Sequence, residues 1–340
     1  MIKFFRKIRQ KSLTESKFSK YLLYAIGEIV LVIIGILIAL SLNKVNEKKQ
    51  ALAKVDAILE DVMNELASNI NQGTELIYRY RESDSLSVLI LNNKVTYKDY
   101  TSDNSNALWN IATGYNTYKV RDNAYNLLLN NRDAIPVAYD KAISYLNILH
   151  DKLKPNVIEY NKRVSTLVSK NFDDYEQNYE WFANRSKRDE EIEYMLHSYK
   201  FKNKVERFRM EAVYTHRGAI TDYRLQAIEA YIEIARVLNK TTDSLKFLVK
   251  KNVIEKYIGT YRNMANLKEK VEVSFGKSFL KSGFLLIKIA GISYYYAYPL
   301  TSNKIFYLYN DGMVRFKTEN KKIIMTIYKE QTALNYKKMD

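Results

Sequence analysis

The stretch KYLLYAIGEIVLVIIGILIALSLNK, Lys20 to Lys44, sets twenty-three residues between two lysines, and the one acid among them is Glu28. From Tyr21 to Leu42 the run is 22 residues long, about 33 Å of helix at 1.5 Å per residue, against a hydrocarbon core of about 30 Å. A run this long and apolar on every side predicts a membrane-spanning helix, because a helix of a soluble core is apolar on one face only. A cleaved signal peptide is the competing reading, with Ala39 and Ser41 as its small residues. Its leading polar region and its apolar part are both over-long for that role.

The flanks set the expected orientation. Lys3, Arg6, Lys7, Arg9, Lys11, Lys17 and Lys20 precede the run, whereas Lys44, Lys48, Lys49 and Lys54 follow it, diluted by Glu47 and Asp56. The excess of positive charge on the leading side predicts a cytoplasmic N-terminus. Residues 1–20 then form a basic cytoplasmic segment suited to anionic lipid heads, residues 21–43 the span, and the chain beyond Asn43 lies outside the cytoplasm.

At 100° per residue, Gly35 and Ala39 lie about 20° to either side of Glu28, with Tyr21 and Tyr24 within about 40°. Gly35-x-x-x-Ala39 is a small-xxx-small pair that lets helices approach closely. A charged carboxylate near mid-bilayer costs about 2.5–3.5 kcal/mol on insertion scales. Tyr21, Tyr24, Glu28, Gly35 and Ala39 are therefore the expected helix–helix interface, to a second copy or to a membrane-protein partner. The alternative is a Glu28 that snorkels toward the cytoplasmic heads.

The N-terminal stretch also resembles a family of uncharacterised single-pass membrane proteins of Bacteroidetes, a domain-of-unknown-function family. The residues that carry the resemblance are the basic start FFRKIR, KYLLYAIGEI, and IGILIAL followed by an Asn and NE. Ser41 and Val45 stand where members carry Gln and Trp. The resemblance is specific over about 47 residues and looser, as helical pattern, to about residue 245. It implies a Gram-negative inner membrane, with the bulk of the chain in the periplasm, and brings no known activity.

Composition limits what the remainder can be. The 340 residues include 10 Gly and 3 Pro, too few for an all-β chain of many turns, which favours long helices. With no cysteine, disulfides, thiolate metal sites and cysteine nucleophiles are excluded. The net charge of +16 is uneven: residues 1–20 carry +6, residues 21–250 carry +1, and residues 251–340 carry +9.

Residues 44–250 read as an antiparallel helical bundle. Leu52, Val55, Leu59, Val62, Leu66 and Ile70 recur every three or four residues, so the membrane helix is expected to continue outward as a rod. Gly73-Thr74-Glu75 is expected to stop or kink it. Asp133 with Pro136 predicts the start of a long helix, kinked at Pro155. Val205, Phe208, Ala212, His216, Ala219, Tyr223, Ala227, Ala230, Ile234 and Val237 form one seam.

Residues 251–340 change period. Val271–Phe275, Phe284–Ile292, Ser293–Tyr298, Ile305–Tyr309, Met313–Thr318, Ile323–Tyr328 and Leu334–Lys338 are short, β-branched or aromatic runs between turn residues. Asn310-Asp311-Gly312 is tight-turn chemistry between two of them. The fold class expected is mainly α, with a small C-terminal antiparallel β-domain. Tyr257-Ile258-Gly259-Thr260-Tyr261 resembles the opening Y-x-G-x-Y motif of small lipocalin-like β-domains, which implies a curled sheet or half-barrel whose concave face holds a ligand.

Chemistry is sparse. Three histidines, His150, His197 and His216, supply all the imidazole. Glu193 and His197 share a face, yet neither the paired Glu-x-x-His of di-iron bundles nor HExxH is present, so no metal and no cofactor is expected. No G-x-S-x-G, phosphate loop or dinucleotide fingerprint occurs. His216, in the seam, is the candidate pH-sensitive core residue. The basic, tyrosine-rich C-terminus would suit nucleic acid, but the expected topology removes that partner. The expected function is a membrane-anchored envelope scaffold or sensor/adaptor acting by protein binding. The alternatives are anionic lipid or cell-wall polymer bound by the β-domain, and an unrecognised hydrolase.

Overall fold

The computed structural model describes residues 18–103, 105–241, 254–275, 285–289, 293–302, 305–308, 312–329 and 332–339. Within them the chain is mainly helical, with a small C-terminal antiparallel β-domain. Helix α1, Phe18–Leu91, is a single helix of 74 residues. Along its first part the large apolar side chains from Leu22 to Leu42 are all exposed. Mean hydropathy there reaches 2.7 with none of the window buried. This is one helix long and apolar enough to cross a membrane. From Val55 onward the same helix carries the core, with Val55, Leu59, Val62, Leu66 and Ile70 at most 2 % exposed.

Gly73 does not stop α1. The helix runs through it, and a Cβ there would stand 3.4 Å from Ile220 Cγ2 and 3.6 Å from Arg224 Cβ. The glycine therefore marks a close approach between two helices and no C-terminal cap. Neither does Thr74 break the turn, since its hydroxyl donates to the Ile70 carbonyl, 2.8 Å away, within the helix.

Past α1 the chain turns through two short helices, α2 (Tyr97–Tyr100) and α3 (Asn106–Trp109), then descends by an extended stretch to α4 (Asn123–Leu129). The expected helix start at Asp133 and Pro136 is displaced. Two 3-10 turns, Arg132–Ala134 and Val137–Tyr139, intervene, and α5 begins at Asp140 (Asp140–Asn147). Pro136 has an extended ψ of 144° and so precedes the helix instead of entering it. A π-helical segment, Ile148–Leu153, joins α5 to α6 (Lys154–Asn178). Pro155 sits in the first turn of α6, where its missing N–H is accommodated by the wider π turn before it.

The return column is built alike. Helix α7 (Arg188–His197) caps the far end, then α8 (Tyr199–Phe208), a second π-helical segment (Arg209–His216) and α9 (Arg217–Val237) run back along α1. The direction is fixed by contacts at three heights: Lys202 with Asn93, Tyr80 with His216, and Lys240 with Glu60. Beyond the far end of the main core lies a second aromatic core, where Tyr175, Tyr179, Trp181 and Tyr194 pack ring on ring.

The extended stretch between α3 and α4 would leave backbone groups stranded inside a helical bundle. Two asparagines satisfy them. Asn161 accepts from the Tyr118 N–H (3.0 Å) and donates to the Tyr118 carbonyl (2.8 Å). Asn69, on α1, does the same for Arg121, at 2.9 Å each way. Each side-chain amide thus stands in for a neighbouring strand.

The C-terminal strands form a closed antiparallel barrel, β1 (Gly259–Asn263), β2 (Lys270–Phe275), β3 (Leu285–Ile289), β4 (Ser293–Ser302), β5 (Ile305–Leu308), β6 (Gly312–Glu319), β7 (Lys322–Lys329) and β8 (Thr332–Lys338), each paired with the next and β8 with β1. The seven expected strands are all present. The eighth, β1, comes from the Tyr257–Tyr261 motif, and its pairing with β8 closes the curled sheet. The turn expected at Asn310-Asp311-Gly312 lies largely outside the described residues, but β5 and β6 flank it as an antiparallel pair.

Candidate functional site

The expected membrane interface occupies the unpacked part of α1. Tyr24, Glu28, Gly35 and Ala39 are all exposed there. Tyr21 lies in the same helix. A Cβ added at Gly35 would meet nothing within 4 Å. Among the described residues no packing requires Gly35 to be small, in contrast to Gly73.

Deeper in the bundle, α1 and the return column share a line of buried polar groups. Tyr118 donates to the Asn69 carbonyl (2.9 Å), Asn69 donates to the Tyr223 hydroxyl (3.4 Å), and Arg224 Nε donates to Thr74 Oγ1 (2.8 Å). Burial lowers the Arg224 guanidinium to about 10. About two turns further out, the Tyr80 hydroxyl meets His216 Nδ1 at 2.8 Å. His216 is fully buried in the expected seam, and loss of solvent pushes its imidazole down to about 4, so it is neutral at pH 7.

His150 repeats the pattern in the other π segment. Its ring stacks on Tyr125 (3.7 Å between centroids, 8° apart), with Asp122 at 4.0 Å and Lys154 paired to that same carboxylate. Burial lowers His150 to about 4 as well. Nothing in the apolar spacing singles out His150, since i→i+5 turns leave no mark there. His197 and Glu193 do share a face, at 3.5 Å, and both are exposed. Among the described residues, no three of His, Asp and Glu gather as metal ligands would.

Among the described residues, one cluster of side chains is buried inside the barrel. Tyr261, Val273, Ile287, Val314, Phe316 and Tyr336 are at most 1 % exposed, and the Tyr257 ring stacks on Phe316 at 4.2 Å. The Tyr261 hydroxyl donates to the Tyr257 carbonyl (2.8 Å), which pins the short 3-10 turn Glu255–Tyr257 to the first strand.

The barrel's exterior offers a groove instead. A cavity of about 490 Å³ lies over the β1–β8–β7 seam, lined by Arg262, Lys322, Lys337 and Lys338 with Met264, Leu267 and Met339. Met264 and Leu267 are 55 % and 67 % exposed. The barrel touches the bundle where Arg81 Nη1 reaches Met313 Sδ, 2.9 Å away. Three residues further along α1, Asp84 pairs with Arg209 at 3.0 Å, at the start of the His216 π segment.

No protein-family model, no curated protein and no solved structure matches this chain.

Proposed function

We propose that this chain is a membrane-anchored scaffold or sensor/adaptor of a bacterial envelope, working by protein binding and not by catalysis. The observation that carries the reading is the continuity of α1: the apolar segment and the core of the bundle are one helix. A shift or rotation of the outer part is then a shift of the span, because a helix without a break has no soft joint at which to absorb it. The barrel bears on this same helix at Arg81. In this reading the chain is single-pass in the inner membrane, with residues 1–20 in the cytoplasm on anionic lipid heads and the bundle and barrel in the periplasm. The positive flank before the span and the resemblance of the N-terminus support that placement.

The stripe Tyr21, Tyr24, Glu28, Gly35 and Ala39 supplies the contact to a second copy or to a membrane-protein partner. The experiment is a photoreactive residue at Ile38, on the flank of that stripe, in native membranes. One discrete crosslinked species, lost on Gly35→Leu, is expected. Monomer alone, or a species indifferent to Gly35→Leu and Glu28→Leu, would contradict the reading.

A further inference from the structure

The groove between α6 and the return column carries a charge balance that its own side chains leave uneven. A cavity of about 430 Å³ there is lined by four cations, Lys162, Arg163, Lys170 and Arg207, against two carboxylates, Glu159 and Glu211. The excess is two positive charges. Glu211, its side chain 8 % exposed, holds both arginines. Its Oε1 accepts from Arg163 Nη2 at 2.9 Å and pairs with Arg207 Nη2 at 2.7 Å, so those two nitrogens stand no more than 5.6 Å apart. Both contacts use Nη2 alone, and a guanidinium carries five N–H donors, so each arginine keeps donors to spare. Their side chains remain 44 % and 57 % exposed, so the contact with Glu211 does not seal them off. The second acid is a loose partner: Glu159, 64 % exposed, lies 3.9 Å from Arg163 Nη1, and such a surface pair is worth little.

Lys162 and Lys170 stand one turn to either side of Thr166 on α6, and all three are exposed. Among the described residues no acid pairs with either ammonium group. Flexible four-carbon stems let both swing toward one point over Thr166, so the spacing of their backbone positions does not fix the spacing of their charges.

We infer that this groove binds the phosphate of a soluble phosphate monoester, with Arg163 and Arg207 donating to its oxygens from one side and Lys162 and Lys170 closing on it from the other. Charge and shape decide the class. A phosphate monoester carries close to two negative charges at pH 7 and three terminal acceptor oxygens, which matches the excess of the groove. A carboxylate brings one charge and two oxygens. The two guanidiniums are already ordered side by side by Glu211, so less side-chain freedom is lost when the anion arrives. The volume lies within the range of small-ligand sites and leaves room against Leu167 for the group that bears the phosphate.

Height decides for a soluble ester over a lipid headgroup. Glu211 shares the π-helical segment Arg209–His216 with His216, whose partner Tyr80 lies 37 residues past Asn43, or about 55 Å along an unbroken helix. A headgroup of the bilayer from which α1 emerges does not reach that far. Only this choice of source rests on the membrane reading; the charge and geometry of the groove do not.

The test uses the full chain in nanodiscs of phosphatidylcholine, with and without phosphatidic acid. Calorimetry measures binding of glucose 6-phosphate against glucose. Glucose 6-phosphate alone should bind, with one affinity in both discs, and about tenfold more weakly in Lys162→Gln/Lys170→Gln. The control Lys152→Gln/Lys200→Gln removes the same charge at exposed positions outside the groove and should bind as the parent does. Thermal melts establish that both variants are folded. Absence of binding, glucose binding as well as its phosphate, or unchanged binding in the groove variant would overturn the proposal. Equal weakening in the two variants would reduce the effect to net charge and overturn it too. Weaker binding in the discs that contain phosphatidic acid would show a lipid phosphate competing for the groove and overturn the soluble source.

Discussion

The Tyr80 hydroxyl and His216 Nδ1 stand 2.8 Å apart, tying the helix that carries the apolar segment to the π-helical turn of the return column. Burial holds this imidazole at about 4, below its ordinary 6.5. Above about pH 6.5 it is neutral whether the chain is folded or not, and stability is at its full value. As pH falls from 6.5 through 4 the unfolded chain takes up the proton first, so stability is lost across that window. His150 acts in the same sense. Asp222, which burial raises to about 6, acts in the opposite one. Comparing thermal midpoints of the parent and His216→Gln isolates the histidine: the variant should show a shallower loss between pH 6.5 and 4. Parallel profiles would contradict this account.

Gly73 tests the continuity of α1 from another side. At a helix-ending glycine, alanine is unfavourable; inside a helix it gains about 0.5–1 kcal/mol. The surrounding atoms, Ile220 Cγ2 at 3.4 Å and Tyr118 Oη at 3.5 Å, leave room for one methyl group. Gly73→Ala should therefore be neutral or stabilising by up to about 1 kcal/mol in denaturant unfolding. Gly73→Leu should cost about 1–3 kcal/mol by overpacking.

Asn69→Ala should cost about 2–4 kcal/mol, because it strands both the N–H and the carbonyl of Arg121 in a buried setting. Asn69→Asp keeps the acceptor but turns a carboxylate oxygen toward the Arg121 carbonyl at a site 1 % exposed, so it should cost at least as much as the alanine variant. Equal stability of all three by denaturant unfolding would show that the extended stretch finds other partners.

Much of this architecture was legible because its causes are local. The all-round apolar run from Tyr21 to Leu42, the seam from Val205 to Val237 and seven of the eight strands each follow from side-chain period. What escaped reading has non-local causes. Gly73 looked like a stop because sequence alone cannot show Ile220 and Arg224 approaching it. Asp133 and Pro136 carry the chemistry of a helix start, yet the backbone spends two 3-10 turns before Asp140. Closure of the barrel depends on β1 meeting β8 some seventy-five residues later, as Tyr261 does Lys338. The π segments containing His150 and His216 differ from α-helix by one hydrogen-bond register, which apolar spacing tolerates. For the membrane stripe, spacing put Glu28, Gly35 and Ala39 together, and all three residues are exposed on α1.

The orientation has its own test. A reporter active only in the periplasm, fused after Asp340, should be active, and a reporter that matures only in the cytoplasm should stay dark at the same position. The reverse pattern would invert the positive-inside assignment of Lys3 to Lys20.

The unbroken span-to-core helix is most directly tested by a distance. The chain has no cysteine, so spin labels at Glu47→Cys and Glu82→Cys, both exposed on α1, report cleanly in a lipid nanodisc. A continuous helix places these positions about 53 Å apart, and electron–electron double resonance should give one narrow distribution near that value. A broad distribution, or a mean shorter by about 10 Å or more, would show a joint between membrane and bundle and contradict the account.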